Sequence, residues 1–223
     1  MAKFFGSQIG AQFALNMNEI NCHKSPHNMK FSIKQQSVLY EGFYQLDKLT
    51  IEHERYDGKQ QTIERELLLR HDAVCVLLFD PVLDKVVLIE QFRVGAIKQQ
   101  NPWLLEVVAG LIDKDEAPEE VAHRESFEEA GVHIKNLSKI TQYQSSPGGT
   151  NETIHLFIAQ VDSNTAFGTH GLEAESEDIK VVVLQKQAAF DMINQGKINN
   201  ASTLISLQWL IINEEKIRKL WLI

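Results

Sequence analysis

Cysteine is scarce: Cys22 and Cys75 are the two in 223 residues. They stand far apart and match no metal-ligand spacing, which excludes a disulfide framework and a thiolate zinc site. A reducing compartment, the cytoplasm, is the expected location. Cys75 lies in an apolar run and reads as core. Long hydrophobic runs are absent too; no stretch of 18 apolar residues occurs, so no membrane-spanning helix is expected. Near the N-terminus, Phe4, Phe5, Ile9 and Phe13 are interrupted by Ser7, Gln8, Gly10 and Gln12, a poor signal peptide. Positive charge is in deficit, with a net charge of −8 and a pI near 5.5. No run of Lys or Arg is long enough to follow a phosphate backbone, so a nucleic-acid partner is excluded. The chain has no internal repeat and no low-complexity tract. Its 43% hydrophobic content suits one domain of ordinary size, or a core with a small appendage.

What is present is acidic, and it is concentrated. Pro118 suits the first turn of a helix and Gly131 its C-terminal stop. In the helix between them, Glu125, Glu128 and Glu129 fall within an arc of roughly 100°. Val121 and Ala122 share that side one turn earlier, and Phe127 falls opposite. The carboxylates therefore face protein. Two of them about 5 Å apart repel by roughly 3 kcal/mol at an effective dielectric near 20. Arg124, four residues before Glu128, offsets one charge but not all. Either the carboxylates protonate or they bind a hard cation. Oxygen ligands with no nearby cysteine suit Mg²⁺, or Mn²⁺, rather than Zn²⁺.

The remainder of the chain alternates between strand-like and helical patterns. Residues 1–30 are weakly patterned and read as an extension of unknown role. Residues 31–70 read as a small antiparallel sheet, with Ser37–Asp47 as one candidate strand and Asp57-Gly58 as a hairpin signal. Residues 71–223 read as the main domain. Asp72–Asp80 is a continuous apolar run, hence a buried strand, and Lys85–Arg93 returns beside it. After the acidic helix, residues 132–144, 153–162 and 179–184 look like strands. Residues 166–177 form a polar, Glu-rich loop, and residues 185–194 and 202–220 read as helices. The class is α+β, a mixed sheet between helices preceded by a small antiparallel N-terminal sheet.

The acidic stretch has a further property. Gly110, five residues, Glu116, seven residues, Arg124-Glu125, two residues, Glu128-Glu129, one residue, Gly131-Val132 resembles the Nudix box. Ser126 departs from the aliphatic residue usual after Arg-Glu. The resemblance implies a metal-dependent hydrolase of a nucleoside diphosphate linked to another group, on a sheet sandwiched by helices. Further segments resemble the ADP-ribose pyrophosphatases of that family: residues 40–47, Arg65-Glu66, residues 88–93, residues 101–110, Ser146-Pro147-Gly148-Gly149-Thr150, residues 171–179 and residues 196–201. The likeness covers about residues 37–213. It implies that Glu125, Glu129 and the backbone carbonyl of Ala109 hold metal, two or more ions, with Glu128 beside them and Glu177 as another ligand. Glu175, Arg124 and Glu128 form the implied catalytic set, with Glu175 the general base; Glu173 and Glu177 share its loop, and chemistry alone does not choose among the three. Phe43 would stack on adenine. Arg65 and Glu66 would reach the nucleotide from the partner subunit of a homodimer with a composite active site. Arg93, Pro147 and Gly148 would meet the rest of the substrate. The implied reaction is Mg²⁺-dependent cleavage of ADP-ribose to AMP and ribose 5-phosphate. The alternatives are a GDP-mannose or other nucleotide-sugar pyrophosphatase, and a regulator that binds ADP-ribose without cleaving it.

Overall fold

The computed structural model describes residues 29–113 and 115–222, so the extension expected over residues 1–30 lies almost wholly outside the described residues. Two compact units divide the chain. One takes the described residues up to His71 together with Gln144–Glu152; the other takes Asp72–Tyr143 and Thr153 onward.

The first unit is built on three antiparallel strands in order β1-β2-β3: β1 (Phe31–Glu41), β2 (Gln45–Glu54) and β3 (Gln60–Leu69). The expected single strand over residues 37–47 is corrected here. It is two strands joined by a tight turn, in which Gly42 N–H donates to the Tyr44 carbonyl at 2.9 Å. The apolar run across the turn hides the break, because Phe43 and Tyr44 have strand-like composition but reverse the chain. The Asp57-Gly58 signal is a hairpin, with Gly58 at φ 80° and the Asp57 carboxylate accepting from Lys59 N–H at 3.1 Å. Residues 144–152 join this unit through main-chain pairing. Leu68 N–H donates to the Gly149 carbonyl at 2.8 Å, and Leu68 bridges Thr150 in parallel.

The second unit is a sheet between helices. Its strands are β4 (Ala73–Asp80), β5 (Lys85–Phe92), β6 (Trp103–Glu106), β7 (Val108–Leu111), β8 (Asn136–Gln144), β9 (Thr153–Gln160), β10 (Thr169–His170) and β11 (Ile179–Gln185). The main order is β10-β11-β5-β4-β9-β8, with β6 on β5 and β7 on β4. The β4–β9 pair is parallel, and β4 is antiparallel to β5 and β7, so the sheet is mixed. All eight residues of β4 are buried, as a continuous apolar run demands of a strand covered on both faces. Val74, Val76 and Leu78 turn to helix α1 (Pro118–Ala130), against Val121, Ala122 and Ala130. Cys75, Leu77 and Phe79 turn the other way, with Ala189 of α2 (Lys186–Asn194) and Leu207, Leu210 and Ile217 of α3 (Ala201–Leu222). Each fully buried Val, Leu or Phe contributes about 1.5–3 kcal/mol against exposure. The strand expected from residue 132 begins at Asn136, and the polar loop expected over residues 166–177 contains the two-residue β10.

Helix α1 starts and stops where its sequence says. Pro118 opens it, and the Glu120 carboxylate accepts from Ala117 N–H at 2.8 Å, one half of a capping box. Gly131 closes it at φ 66°, its N–H donating to the Phe127 carbonyl at 3.0 Å. Ser126 is fully buried and donates to the Ala122 carbonyl at 2.7 Å, so the hydroxyl in this usually aliphatic position is satisfied within the helix. A Cβ on Gly131 would lie 2.6 Å from the His170 ring, on a backbone conformation that side chains resist. Gly131→Ala is therefore expected to destabilise the chain by more than ~1 kcal/mol, read as a lower urea midpoint. An unchanged midpoint would contradict this account of the helix stop.

Candidate hydrolytic site

The acidic face of α1 lies against β7. Glu129 is 3% exposed, and its carboxylate accepts from Ala109 N–H at 2.9 Å. Gly110 follows on the same strand. A Cβ there would lie 1.9 Å from Glu125 Oε1, so the absent side chain is what leaves room for the Glu125 carboxylate. Arg124 gathers three carboxylates: Nη1 reaches Glu125 at 2.6 Å and Glu128 at 3.0 Å, and Nη2 reaches Glu116 at 3.1 Å. The i, i+4 spacing anticipates the Glu128 contact. Glu116 sits in the loop before the helix, and its partnership with Arg124 had no signal beyond its place in the box.

Burial dominates the electrostatics. Desolvation pushes the Glu129 carboxyl up to about 8; the Ala109 N–H and the charge of Arg93 pull it down, while Glu125 and Glu177 push it further up. Desolvation likewise raises Glu125 to about 7, with Arg124 opposing and Glu128 and Glu177 adding to the rise. Arg124 itself is half-buried. Burial works against its charge, but the carboxylates around it outweigh this and push its pKa up. Burial raises both carboxyls, and the charges of Arg124 and Arg93 offset only part of the rise. Among the described residues, no three carboxylate, imidazole or thiolate groups are placed to share one metal ion, and Glu116, Glu125 and Glu128 instead converge on the Arg124 guanidinium. The donors on this face are nonetheless all hard oxygens, the chemistry that suits a divalent cation.

The loop after β10 brings in the other acids. Glu177 acts on both Glu125 and Glu129, and its own carboxylate accepts from Leu172 N–H at 3.0 Å. Gly171 N–H donates to the Glu128 carbonyl at 3.3 Å, tying this loop to the helix backbone. Glu175 ends a short 3-10 turn, and its side chain lies outside the described residues. Arg93 is bonded by its Nε to Glu106 at 2.8 Å. Sequence reasoning gave Glu106 no role; a lone acid in Leu-Leu-Glu-Val-Val was the signal that could have found it.

The remaining candidates belong to the first unit. Phe43 is 65% exposed at the β1–β2 turn, edge-on to Tyr44 at 4.8 Å, and so is not a core aromatic of the sheet. Arg65 and Glu66 are exposed on β3, with Arg65 bonded to the Glu64 carbonyl at 2.7 Å. Pro147 and Gly148 are exposed in the 144–152 loop.

The NUDIX domain family matches residues 69–201. The ADP-ribose pyrophosphatase of Haemophilus influenzae is 43% identical over 210 residues, covering 92% of this chain and 95% of the relative. That of Escherichia coli K12 is 42% identical over 188 residues, covering 83% and 90%. The GDP-mannose pyrophosphatase of Cronobacter sakazakii is 35% identical over 185 residues, covering 82% and 96%. A crystal structure of an ADP compounds hydrolase shares the fold with a TM-score of 0.64 at 20% identity, covering 87% of this chain and 97% of that one. The chain belongs to the Nudix hydrolase family. Among the described residues, no helix is long and apolar enough to cross a membrane.

The raised carboxyls carry a pH signature. Between their ordinary value near 4.5 and their folded values of about 7 and 8, the folded chain holds protons that the unfolded chain has released. Stability from this source is complete below that window and is lost as pH rises through it. The lowered Asp80 and Glu214 act below the window, so they do not oppose the trend. A cation competes with those same protons. Thermal stabilisation by Mg²⁺ is therefore expected to be larger at ~pH 8.5 than at ~pH 5.5. Equal stabilisation at both would place the cation elsewhere.

Proposed function

We propose that this chain hydrolyses the pyrophosphate bond of ADP-ribose to AMP and ribose 5-phosphate. The observation that carries this reading is full-length likeness: at 43% identity the ADP-ribose pyrophosphatase relative matches nearly end to end, whereas the GDP-mannose relative stands at 35%. A linked diphosphate is anionic and poorly electrophilic, so the reaction needs positive charge on its oxygens as the transition state forms. A divalent cation, Mg²⁺ in our reading and present as two or more ions, supplies that charge when bound. Glu125, Glu129 and the Ala109 backbone would hold it, with Glu128 and Glu177 completing the set. Arg124 keeps Glu125 and Glu128 oriented and partly neutralised, a role its present contacts support. Glu175 accepts the proton of the attacking water as phosphorus–oxygen cleavage releases the other phosphate. Arg93, freed from Glu106, would meet the substrate's phosphate.

At the nucleotide end we assign Phe43 to the adenine face, and Arg65, Glu66, Pro147 and Gly148 to its surroundings. The exposure of Phe43 supports its assignment, since a stacking platform must leave its ring free. The N-terminal sheet would mediate a homodimer with a composite active site, and the cytoplasm is the proposed location.

The test is a substrate panel with Mg²⁺, following AMP, GMP and sugar-phosphate release. ADP-ribose should lead GDP-mannose, NADH and diadenosine polyphosphates in kcat/KM. GDP-mannose in the lead would keep the hydrolytic assignment and overturn those of Phe43, Arg65 and Pro147. Binding of ADP-ribose without cleavage would instead make the chain a regulator. With the best substrate, Glu129→Gln should lower kcat by at least ~100-fold while the folded far-UV signal persists. Glu175→Gln should lower kcat with the Mg²⁺ half-saturation unchanged; full turnover would move the base to another acid of that loop, Glu177 first.

A further inference from the structure

In the first unit, a single arginine anchors two segments that are far apart in sequence. Glu152 closes the 144–152 loop with a side chain only 5% exposed. A carboxylate buried that far must be paired, and Arg70 takes both oxygens, Nη2 to Oε1 at 2.9 Å and Nη1 to Oε2 at 3.1 Å. The main chain of Arg70 is bound to the same loop. Its N–H donates to Asn151 Oδ1 at 2.8 Å, and Asn151 Nδ2 donates back to its carbonyl at 3.1 Å. On its other side the guanidinium lies over the Tyr44 ring, 5.1 Å from the centroid. Tyr44 in turn holds Phe43 edge-on.

The loop has no other source of rigidity in its glycines. Neither Gly148 nor Gly149 adopts a left-handed φ, and a Cβ on either would meet nothing within 4 Å. What sets the loop's place is the turn at Ser146, whose carbonyl accepts from Gly149 and Thr150, and its attachment to the end of β3. Phe43, 65% exposed, is likewise held by Tyr44 rather than by burial.

We propose that Arg70 is a positioning residue for recognition of the nucleotide end of the substrate, holding Phe43 through Tyr44 and the Pro147–Gly148 loop through Glu152 and Asn151 in one fixed arrangement. This rests on the roles given to Phe43 and Pro147 in the proposed function. It makes selectivity for the base depend on a residue that need not touch the substrate. Because the platform orders before binding, its loss acts on KM and on discrimination between nucleotides rather than on the hydrolytic step.

The test compares three forms with the wild type, each assayed with ADP-ribose and GDP-mannose and with Mg²⁺ varied. Tyr44→Leu removes the ring beneath Arg70, and Tyr44→Phe keeps it. The double variant Arg70→Met with Glu152→Gln removes the ion pair without leaving a lone buried charge. Tyr44→Leu and the double variant should raise KM for ADP-ribose about tenfold, with kcat within about twofold and the Mg²⁺ half-saturation unchanged. Their preference for ADP-ribose over GDP-mannose should shrink by a similar factor, and Tyr44→Phe should behave as wild type. A lower Tm with KM and preference unchanged would reduce Arg70 to a stability element and overturn the proposal. So would a fall in kcat that tracks weaker Mg²⁺ binding. A wild type inert toward ADP-ribose would defeat the proposed function itself, whereas an active wild type with unchanged variants would defeat this inference alone.

Discussion

The hydrolytic unit depends on carboxylates drawn largely out of water. Glu129 is buried and Glu125 largely so, on the helix whose Val121, Ala122 and Ala130 pack against the sheet, and burial raises both well above the usual carboxylate range. A fold of this size is stable by only about 5–15 kcal/mol, so two such groups need compensation built into the backbone around them. The Ala109 N–H, the missing side chain at Gly110 and the threefold grip of Arg124 supply part of it. The deficit that remains is one of positive charge, which is what a cation-dependent hydrolase needs to keep in reserve.

Helix α1 was legible because several local signals agreed: a proline start, a glycine stop, and apolar and acidic residues sorted by the helical period. The buried strand β4 was legible for the same reason, as an apolar run flanked by polar residues. The single strand expected over residues 37–47 failed because Phe43 and Tyr44 have strand composition while occupying a turn. Composition reports what suits a pleated surface, not where the chain reverses. The allegiance of residues 144–152 was also hidden, since it rests on main-chain bonds from Leu68 and Arg70 to a loop some 80 positions away. No periodicity encodes such a contact.

The candidate site was legible to the same uneven degree. The carboxylates of the box came from spacing, and the contact from Arg124 to Glu128 followed from the i, i+4 rule. Glu116 and Glu106 were not foreseen as partners, because each meets its arginine through tertiary placement of a loop or a neighbouring strand. Phe43 could be weighed only between core and surface until its exposure was known.

The bond from Leu172 N–H to the Glu177 carboxylate has one more consequence. It fastens the Glu177 carboxylate to the main chain of its own loop, while its charge raises both Glu125 and Glu129. The backbone of this loop and the charge balance of the helix carboxylates are thereby set by one side chain.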